Sequence, residues 1–290
     1  MERAVALSKL AFVGFGEAAM AFAGSWTMRP AQISCYDLKT GLEMAAKYRA
    51  HGVEGCDRLD LALAGCQAVW CLVTADQARA AAEAAAAVAA LPKGTVWLDG
   101  NSCAPETKRA AASVIDAAGG RYVDVAIMAP VQPGGHRVPV LLSGPHAAEA
   151  QTLLAALDMQ ASVVGASIGD ASAIKMIRSV MIKGMEALSA ECFLAAYRAG
   201  VANEVLASLE ASNPEHAWAE QGAYSLGRMM LHGRRRAAEM REAARTVAGL
   251  GLGGGMSAAS AAWQDRIAAL DAAPGSDDLA ALARRLLDRL

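Results

Sequence analysis

Short apolar runs alternate with longer alanine-rich stretches through the first half of the chain. Apolar runs of about four to eight residues, bounded by glycine or polar residues, are typical of buried strands. Strands are predicted at Lys9–Gly14, Gln32–Asp37, Ala68–Thr74, Thr95–Asp99, Arg121–Ile127 and Val138–Ser143. Helices are predicted from Glu17 onward and over Leu42–Ala50, Gln77–Ala90 and Pro105–Ala118. This alternation indicates βαβ units and a mainly parallel sheet, which is an α/β fold.

The strands stop after Gly169, and a helical pattern without a break covers Ala171–Gly200. Further helical segments are predicted at Pro214–Met230, Arg234–Leu250, Ser257–Ala269 and Ser276–Leu290. We therefore expect an α/β domain over residues 1–166 and an all-α C-terminal domain over residues 167–290, joined by a long interdomain helix. A helix of ~30 residues is ~45 Å long, which exceeds the width of a small domain. Its apolar faces predict packing against a second subunit, in a homodimer or a higher homo-oligomer.

Composition and charge exclude two classes of partner. The chain is 54% hydrophobic, but much of that fraction is alanine, which favours helix and buries little area. The formal net charge of −2 gives no electrostatic footprint for nucleic acid. The longest uncharged stretch, Thr246–Gln264, holds a density of glycine that a membrane-spanning helix would hardly tolerate. Neither a nucleic acid nor a membrane is expected as a partner.

The cysteines point to a reducing compartment and to no metal. Six cysteines are scattered along the chain, with neither a C-x-x-C pair nor zinc-ligand spacing. Reduced, buried thiols in the cytoplasm are the expectation. The stretch after Lys9 resembles a signal peptide with Ala21-Phe22-Ala23 as its cleavage site, but Glu17 and two glycines interrupt the apolar core.

A glycine motif connects the first strand to the first helix. Gly14-Phe15-Gly16-Glu17-Ala18-Ala19 reads G-x-G-x-x-A, in which Gly14 permits a tight turn and Gly16 lets the backbone approach a pyrophosphate. Asp37, at the end of the second strand, can accept hydrogen bonds from a ribose 2′-OH. The motif predicts a Rossmann-type doubly wound sheet that binds a dinucleotide. Asp37 favours NAD and makes NADP less likely, because a 2′-phosphate would face a carboxylate, although Lys39 nearby weakens this preference.

A second string, Gly249–Gly254, also matches G-x-G-x-x-G. It follows a helical segment, and no strand precedes it, so the required context is missing. We interpret it as a helix stop and connector.

Four segments follow one another along the chain: FVGFGEAAMA, LDGNSCAP, DVAIMAPVQPGG and GDASAIKMIRS. In this order they resemble the β-hydroxyacid dehydrogenase family, the relatives of 6-phosphogluconate and 3-hydroxyisobutyrate dehydrogenases. More narrowly, the chain resembles the branch known as 6-phosphogluconate dehydrogenase NAD-binding-like proteins. The segments correspond to the cofactor fingerprint, the D-x-S-T-x-x-P strand end, the D-A-P-V-S-G-G substrate loop and the G-x-G-x-x-x-K-x-x-x-N segment.

The resemblance implies a set of site residues and places Lys175 on the family's catalytic lysine. The cofactor-binding set is Gly14, Phe15, Gly16, Glu17, Ala18, Asp37, Leu72, Val73, Thr74, Asn101 and Ser102. The substrate-binding set is Gln132, Pro133, Gly134, Gly135, Ser179 and Lys183. The amides of Gly134 and Gly135 are expected to form an anion nest for a substrate carboxylate. His136 adjoins this turn and is a weaker candidate for substrate contact, whereas Asp124 is expected to be buried and to satisfy backbone groups.

The chain departs from the family at its substrate contacts. Gln132-Pro133 replaces the serine of the substrate loop, and Ser179 stands where the family has asparagine. The lysine–aspartate pair of a later helix has no clear match, and Arg235 or Arg236 is the nearest candidate. Since the lysine and the cofactor motif are kept, these changes suggest redox chemistry on an altered substrate.

The chemistry of such a site requires a base. A hydride leaves a carbinol carbon only as the hydroxyl proton also leaves, and Lys175 can accept that proton if neighbouring cations such as Arg178 lower its pKa. Lys183 is a rival base ~12 Å further along the helix. We therefore expect a cytoplasmic NAD-dependent oxidoreductase acting on a small carboxylate substrate, a 3-hydroxy acid or a 3-hydroxy amino acid. Alternatives are an imine reductase, whose relatives generally lack this lysine, and a non-catalytic NAD-binding sensor.

Overall fold

The computed structural model describes residues 7–88 and 90–290, and within these ranges it forms one sheet of eight strands. The strands are β1 (Lys9–Val13), β2 (Gln32–Tyr36), β3 (Glu54–Cys56), β4 (Ala68–Cys71), β5 (Val96–Asp99), β6 (Arg121–Ile127), β7 (Val140–Ser143) and β8 (Ala161–Gly165). Their order across the sheet is β3-β2-β1-β4-β5-β6-β7-β8.

The first six strands of the sheet run parallel, so their carboxyl ends lie at one edge. β7 pairs antiparallel with β6, and β8 pairs parallel with β7. The strand order reverses between β1 and β4, which is where a doubly wound sheet opens a ligand crevice. The predicted Rossmann-type fold is therefore confirmed, with an antiparallel extension at one side.

Helices cover both faces of the sheet. They are α1 (Glu17–Ser25), α2 (Leu42–Ala50), α3 (Leu59–Leu63), α4 (Ala78–Ala87), α5 (Pro105–Ala117) and α6 (Ala147–Ala155). Successive residues of β1 enter different core clusters, with Leu10 and Phe12 in one and Ala11 and Val13 in the other. Because side chains alternate along a strand, this separation shows that both faces of β1 are buried.

The remaining chain is helical. Its elements are α7 (Asp170–Ala199), α8 (Ala202–Ser212), α9 (Trp218–Gly249), α10 (Gly255–Ala269) and α11 (Leu279–Leu287). The chain divides into two compact units within α7, the first ending at Lys175 and the second beginning at Met176. In the second unit, α9 packs on α10 and α11 around a core that includes Phe193, Leu226 and Leu282. Among the residues that the structure describes, no helix is both long and apolar enough to cross a bilayer.

Several predicted boundaries differ from the structure. The predicted break between Met230 and Arg234 is wrong, because α9 continues through it. Gly233 lies there for another reason: a Cβ would stand 2.7 Å from the Gln264 carbonyl oxygen, so glycine allows α9 and α10 to approach closely. The short strands β3 and β8 and the helices α3, α6 and α8 were not predicted. The Gly249–Gly254 segment is a helix stop and connector as predicted, since α9 ends at Gly249.

Candidate active site

The glycine turn after β1 has a shape that only glycine allows. Gly14 has φ +88°, and a Cβ there would lie 2.5 Å from the Leu72 carbonyl oxygen, so the turn packs against the end of β4. Gly16, the N-cap of α1, is exposed, and nothing lies within 4 Å of the position of a Cβ. Ala19 is fully buried where α1 meets the sheet. The first amides of α1 therefore begin beside open space, which fits a dinucleotide pyrophosphate.

Asp37 braces this turn from the end of β2. Its Oδ2 accepts a hydrogen bond from the Phe15 amide at 2.7 Å, and its Oδ1 accepts one from the Lys39 amide at 2.7 Å. A carboxylate has about four lone-pair sites, so the half-buried side chain retains acceptors for a ribose hydroxyl. The Phe15 ring is buried against Tyr48 and His51, with ring centroids 5.1 and 5.8 Å apart, which leaves its backbone as the part near a cofactor.

Asn101 joins the ends of β4 and β5. Its Oδ1 accepts a hydrogen bond from the Val73 amide at 2.7 Å, and its Nδ2 donates to Asp99 Oδ1 at 2.7 Å and to Cys71 Sγ at 3.3 Å. Both polar atoms of this buried amide therefore hold the site together from within. Thr74 is exposed and Ser102 is half-buried at the same edge of the sheet.

A buried charge network lies beneath this edge. Lys108 of α5 is fully buried, and its Nζ lies 3.0 Å from Asp99 Oδ1 and 3.4 Å from Asp124 Oδ1. Burial alone would lower the pKa of Lys108, but the charges of Asp99 and Asp124 outweigh it and raise that pKa above its ordinary value. The Tyr122 hydroxyl donates to Asp99 Oδ2 at 2.6 Å, and burial together with this carboxylate raises the pKa of Tyr122. At neutral pH Lys108 is charged and Tyr122 is neutral.

The same network caps α7. Asp124 Oδ2 accepts hydrogen bonds from the amides of Gly169 and Ser172, at 3.2 and 3.0 Å, and from Ser143 Oγ at 3.0 Å. Ser143 Oγ in turn accepts one from the Ala171 amide at 3.0 Å. Asp124 is thus buried and satisfies backbone groups, as predicted. Lys175 follows in the next turn of α7 and is half-buried.

The predicted substrate loop follows β6. Its tip is exposed at Gln132, Pro133 and Gly134, and the Gln132–Pro133 bond is cis. Gly135 is buried, and its amide donates to the Val131 carbonyl oxygen at 2.6 Å. Because this amide is used inside the loop, the two glycines do not form the anion nest that the sequence suggests.

His136 holds this loop against α1. Its amide donates to Ser25 Oγ at 2.8 Å, its Nδ1 lies 3.0 Å from the same oxygen, and its Nε2 lies 3.6 Å from the Asp158 carboxylate. The ring is buried, and its contacts join the loop to Ser25 of α1 and to Asp158.

Two predicted substrate residues, Ser179 and Lys183, belong to the second compact unit. Lys183 is buried, with Nζ 2.9 Å from Glu239 Oε2 and 3.1 Å from Ser179 Oγ. Arg236 pairs with Glu186 in the same unit. Arg235 is more exposed and lies 3.6 Å from Glu239 Oε1. The ammonium of Lys183 is therefore ion-paired with Glu239 within its own unit.

Sequence reasoning missed the roles of Asp99, Lys108 and Tyr122. The sequence shows that these residues are charged or polar within predicted strands and a predicted helix. It does not show which of them contact one another, because that depends on the register of the strands. No group of three or more metal-ligating side chains is disposed to hold an ion among the described residues.

Residues 9–169 match the sequence family described as the NAD binding domain of 6-phosphogluconate dehydrogenase. Residues 196–267 match a domain of unknown function, DUF1932. Among curated proteins, an uncharacterised 28.5 kDa protein of Methanothermus fervidus is 30% identical over 115 residues. That match spans 40% of this chain and 43% of the relative, so it covers less than half of either.

Solved structures extend the likeness to the whole chain. A conserved hypothetical protein from Sinorhizobium meliloti 1021 is 36% identical, with 99% of this chain and 98% of that chain covered and a TM-score of 0.75. The conserved protein MTH1747, described as structurally similar to 3-hydroxyacid dehydrogenases, is 30% identical, with coverage of 91% and 98% and a TM-score of 0.66. The 3-hydroxyisobutyrate dehydrogenase of Mycobacterium tuberculosis with L-serine shares the fold, at 16% identity, coverage of 97% and 99% and a TM-score of 0.71.

Proposed function

Because the chain belongs to the family that carries the NAD binding domain of 6-phosphogluconate dehydrogenase, we propose that it is a hydroxyacid dehydrogenase. The proposed reaction transfers a hydride between NAD and the C3 carbinol of a small 3-hydroxy acid or 3-hydroxy amino acid. The observation that carries the proposal is the presence, in one compact unit, of the open glycine turn, the Asp37 carboxylate and the capped helix start that precedes Lys175.

The cofactor would be held along the carboxyl edge of the sheet. The turn from Gly14 to Ala18 and the carboxylate of Asp37 would bind the adenosine half, while Thr74, Asn101 and Ser102 would flank the nicotinamide half. The nicotinamide, when bound, supplies the group that accepts or returns the hydride. NAD is proposed over NADP because Asp37 would repel a 2′-phosphate.

Lys175 is proposed as the general acid/base. In the oxidation direction, its neutral amine takes the proton of the substrate hydroxyl while the carbinol C–H bond breaks, and the carbinol becomes a carbonyl. In the reduction direction, the ammonium returns that proton to the forming alkoxide. A positioned base of this kind contributes typically ~10²–10⁴-fold to the rate.

Substrate contact is proposed for the exposed loop tip at Gln132, Pro133 and Gly134, which follows the carboxyl end of β6. The Gln132 side-chain amide can donate a hydrogen bond to a substrate carboxylate. For Gly135, Ser179 and Lys183, substrate contact stays a prediction from the sequence resemblance.

The test is a panel of small 3-hydroxy acids and 3-hydroxy amino acids, assayed with NAD for the absorbance of NADH. We expect one chemical class within the panel to reduce NAD. Binding of NADH without turnover of any member, and without reduction of imines, would instead support a non-catalytic NAD sensor. Reduction of a cyclic imine without oxidation of any alcohol would favour an imine reductase, a class that also shares this fold.

A further inference from the structure

Lys108 is a fully buried lysine for which the proposed reaction has no direct use. From its contacts we infer that Lys108 is a positioning residue, which fixes the turn preceding Lys175 to the strand end that carries Asn101. The inference rests on the proposed function, in which these two elements act on the same substrate and cofactor.

The first arm of the network runs from Lys108 to the cofactor edge. Lys108 Nζ donates to the Asp99 carbonyl oxygen at 2.6 Å and to Asp99 Oδ1 at 3.0 Å. That same Oδ1 accepts hydrogen bonds from both the backbone amide and the side-chain amide of Asn101, at 3.0 and 2.7 Å. Asn101 then holds the Val73 amide after β4. Three hydrogen bonds, through Asp99 and Asn101, thus connect the ammonium to the turn that follows β4.

The second arm runs from Lys108 to α7. Asp124 stands beside Asp99 in the parallel register of β5 and β6, and its Oδ1 faces the ammonium at 3.4 Å. Its other oxygen accepts the amides of Gly169 and Ser172. The first-turn amides of a helix have no partner within that helix. In α7 the amides of Ala171 and Ser172 donate to side chains of the sheet, so the start of this helix is fixed by Asp124 and Ser143.

A cation is required between these arms. Asp99 and Asp124 are both buried and carry like charges on neighbouring strands, and two carboxylates in one buried site repel each other. Asp124 Oδ1 accepts no hydrogen bond from any described residue, so the ammonium is its counter-charge. Removing one member of a buried ion pair leaves an uncompensated charge and is strongly destabilising. Because both carboxylates face the same ammonium, a shift of either arm changes the distance from its carboxylate to Lys108 Nζ.

Five amides report on the two arms without any substrate. In the first arm, the Val73 amide donates to Asn101 and the Asn101 amide donates to Asp99. In the second arm, the amides of Gly169 and Ser172 donate to Asp124, and the Ala171 amide donates to Ser143. Hydrogen exchange of the full-length protein is compared between Lys108→Met and Lys93→Met. Mass spectrometry reads it on the peptides that contain the amides of each arm. Lys93 is an exposed lysine before β5 and is the matched control.

We expect Lys108→Met to speed hydrogen exchange at the amides of both arms. Lys93→Met should leave the exchange rates of both arms unchanged. With a confirmed substrate, kcat of Lys108→Met should fall by at least about tenfold, while Kd for NADH changes much less, since small misplacement of a catalytic group costs up to about 100-fold in rate. Assays well below the melting temperature of each variant separate this loss from unfolding.

Lys108→Met combined with Asp124→Asn keeps the test decisive if the single variant does not fold, because the pair restores the net charge of the buried site. We expect this double variant to fold but to keep fast exchange and low kcat. Slow exchange and normal kcat in the double variant, or acceleration confined to one arm in the single variant, would overturn the inference. If the wild type turns over no substrate while both arms loosen as described, the proposed function fails and the linkage through Lys108 stands.

Discussion

At the scale of single residues, the acids at the ends of β2 and β5 differ in how much of each carboxylate stays accessible. Asp99 is buried, and its carboxylate is enclosed by Lys108, Asn101 and Tyr122. Asp37 is half-buried and accepts hydrogen bonds from the backbone amides of Phe15 and Lys39. The contrast assigns Asp99 to the interior and makes Asp37 the acid that can meet a cofactor.

The first prediction concerns cofactor choice. The wild type should have a higher kcat/KM with NAD than with NADP, because in the proposed binding mode the Asp37 carboxylate would repel a 2′-phosphate. Asp37→Ser should narrow that preference and also weaken NAD binding, since the substitution removes the acceptor of the Phe15 amide. Asp57→Ser, at an exposed acid before α3, is the control. A wild-type preference for NADP, or an unchanged ratio in Asp37→Ser, would refute the assignment.

The second prediction concerns alkaline pH. Burial raises the pKa of the Cys66 thiol from 9.0 to about 11, so the folded chain holds this proton more tightly than the unfolded chain. Well below pH 9.0 the thiol is protonated in both states, and between pH 9.0 and about 11 the unfolded chain is the more ionised of the two. The free energy of unfolding should therefore fall with rising pH in that window, and the fall should be shallower in Cys66→Ala. Urea unfolding at several pH values measures this, and identical slopes in the two proteins would contradict it.

At the scale of elements, the start of α7 determines where Lys175 lies. Gly169 precedes the helix with φ +110°, and a Cβ there would lie 2.8 Å from Arg109 Nη1 and 2.9 Å from Pro105 Cβ. The amide of Gly169 also donates to Asp124. Gly169 thus has a backbone conformation that favours glycine, packs closely against α5 and donates a hydrogen bond to Asp124 of β6.

The third prediction tests that junction. Gly169→Ala should lower the free energy of unfolding by more than about 1 kcal/mol, because alanine is strained at this φ and collides with α5. Gly65→Ala is the matched control, since Gly65 has φ +71° but open space around the position of a Cβ. Denaturant unfolding should show the larger loss for Gly169→Ala. Equal losses would mean that the contact with α5 contributes nothing.

The sequence predicted those elements whose pattern is local. β1, β5 and α2 follow from apolar runs and helical spacing, and the Gly14 turn follows from a motif whose chemistry is backbone geometry. β3 was missed because its three residues, Glu54–Cys56, carry no apolar signal. The joining of Asp99, Lys108 and Asp124 could not be predicted, because it depends on which residues of β5 and β6 stand side by side.

At the scale of the whole molecule, α7 presents an apolar stripe to solvent. Its members recur every three or four residues and are Ile174, Ile177, Met181, Met185 and Leu188, exposed by 43, 50, 66, 46 and 64%. Residues at this spacing lie on one helix face, and contiguous exposed apolar patches mark interaction sites. We propose that a second copy of the chain covers this stripe.

The fourth prediction tests this assembly. Light scattering should report at least a dimer of the 29.9 kDa chain at micromolar concentration. Met181→Glu combined with Leu188→Glu should shift it to a monomer, because two carboxylates would be buried in the apolar contact. Leu252→Glu, at an exposed leucine of the connector after α9, should leave the assembly unchanged. A wild-type monomer would contradict the proposal.

The fifth prediction addresses the central claim, that Lys175 moves the substrate proton during hydride transfer. The test is to measure kcat with a confirmed hydroxy acid, and the Kd for NADH, in the wild type, in Lys175→Met and in Lys183→Ala. Lys175→Met should lower kcat by ~10²–10⁴-fold with little change in Kd, because a positioned base is lost while the cofactor site is kept. Lys183→Ala should cost much less. If Lys175→Met turns over near the wild-type rate, or if Lys183→Ala alone abolishes turnover, the assignment of the base to Lys175 is wrong.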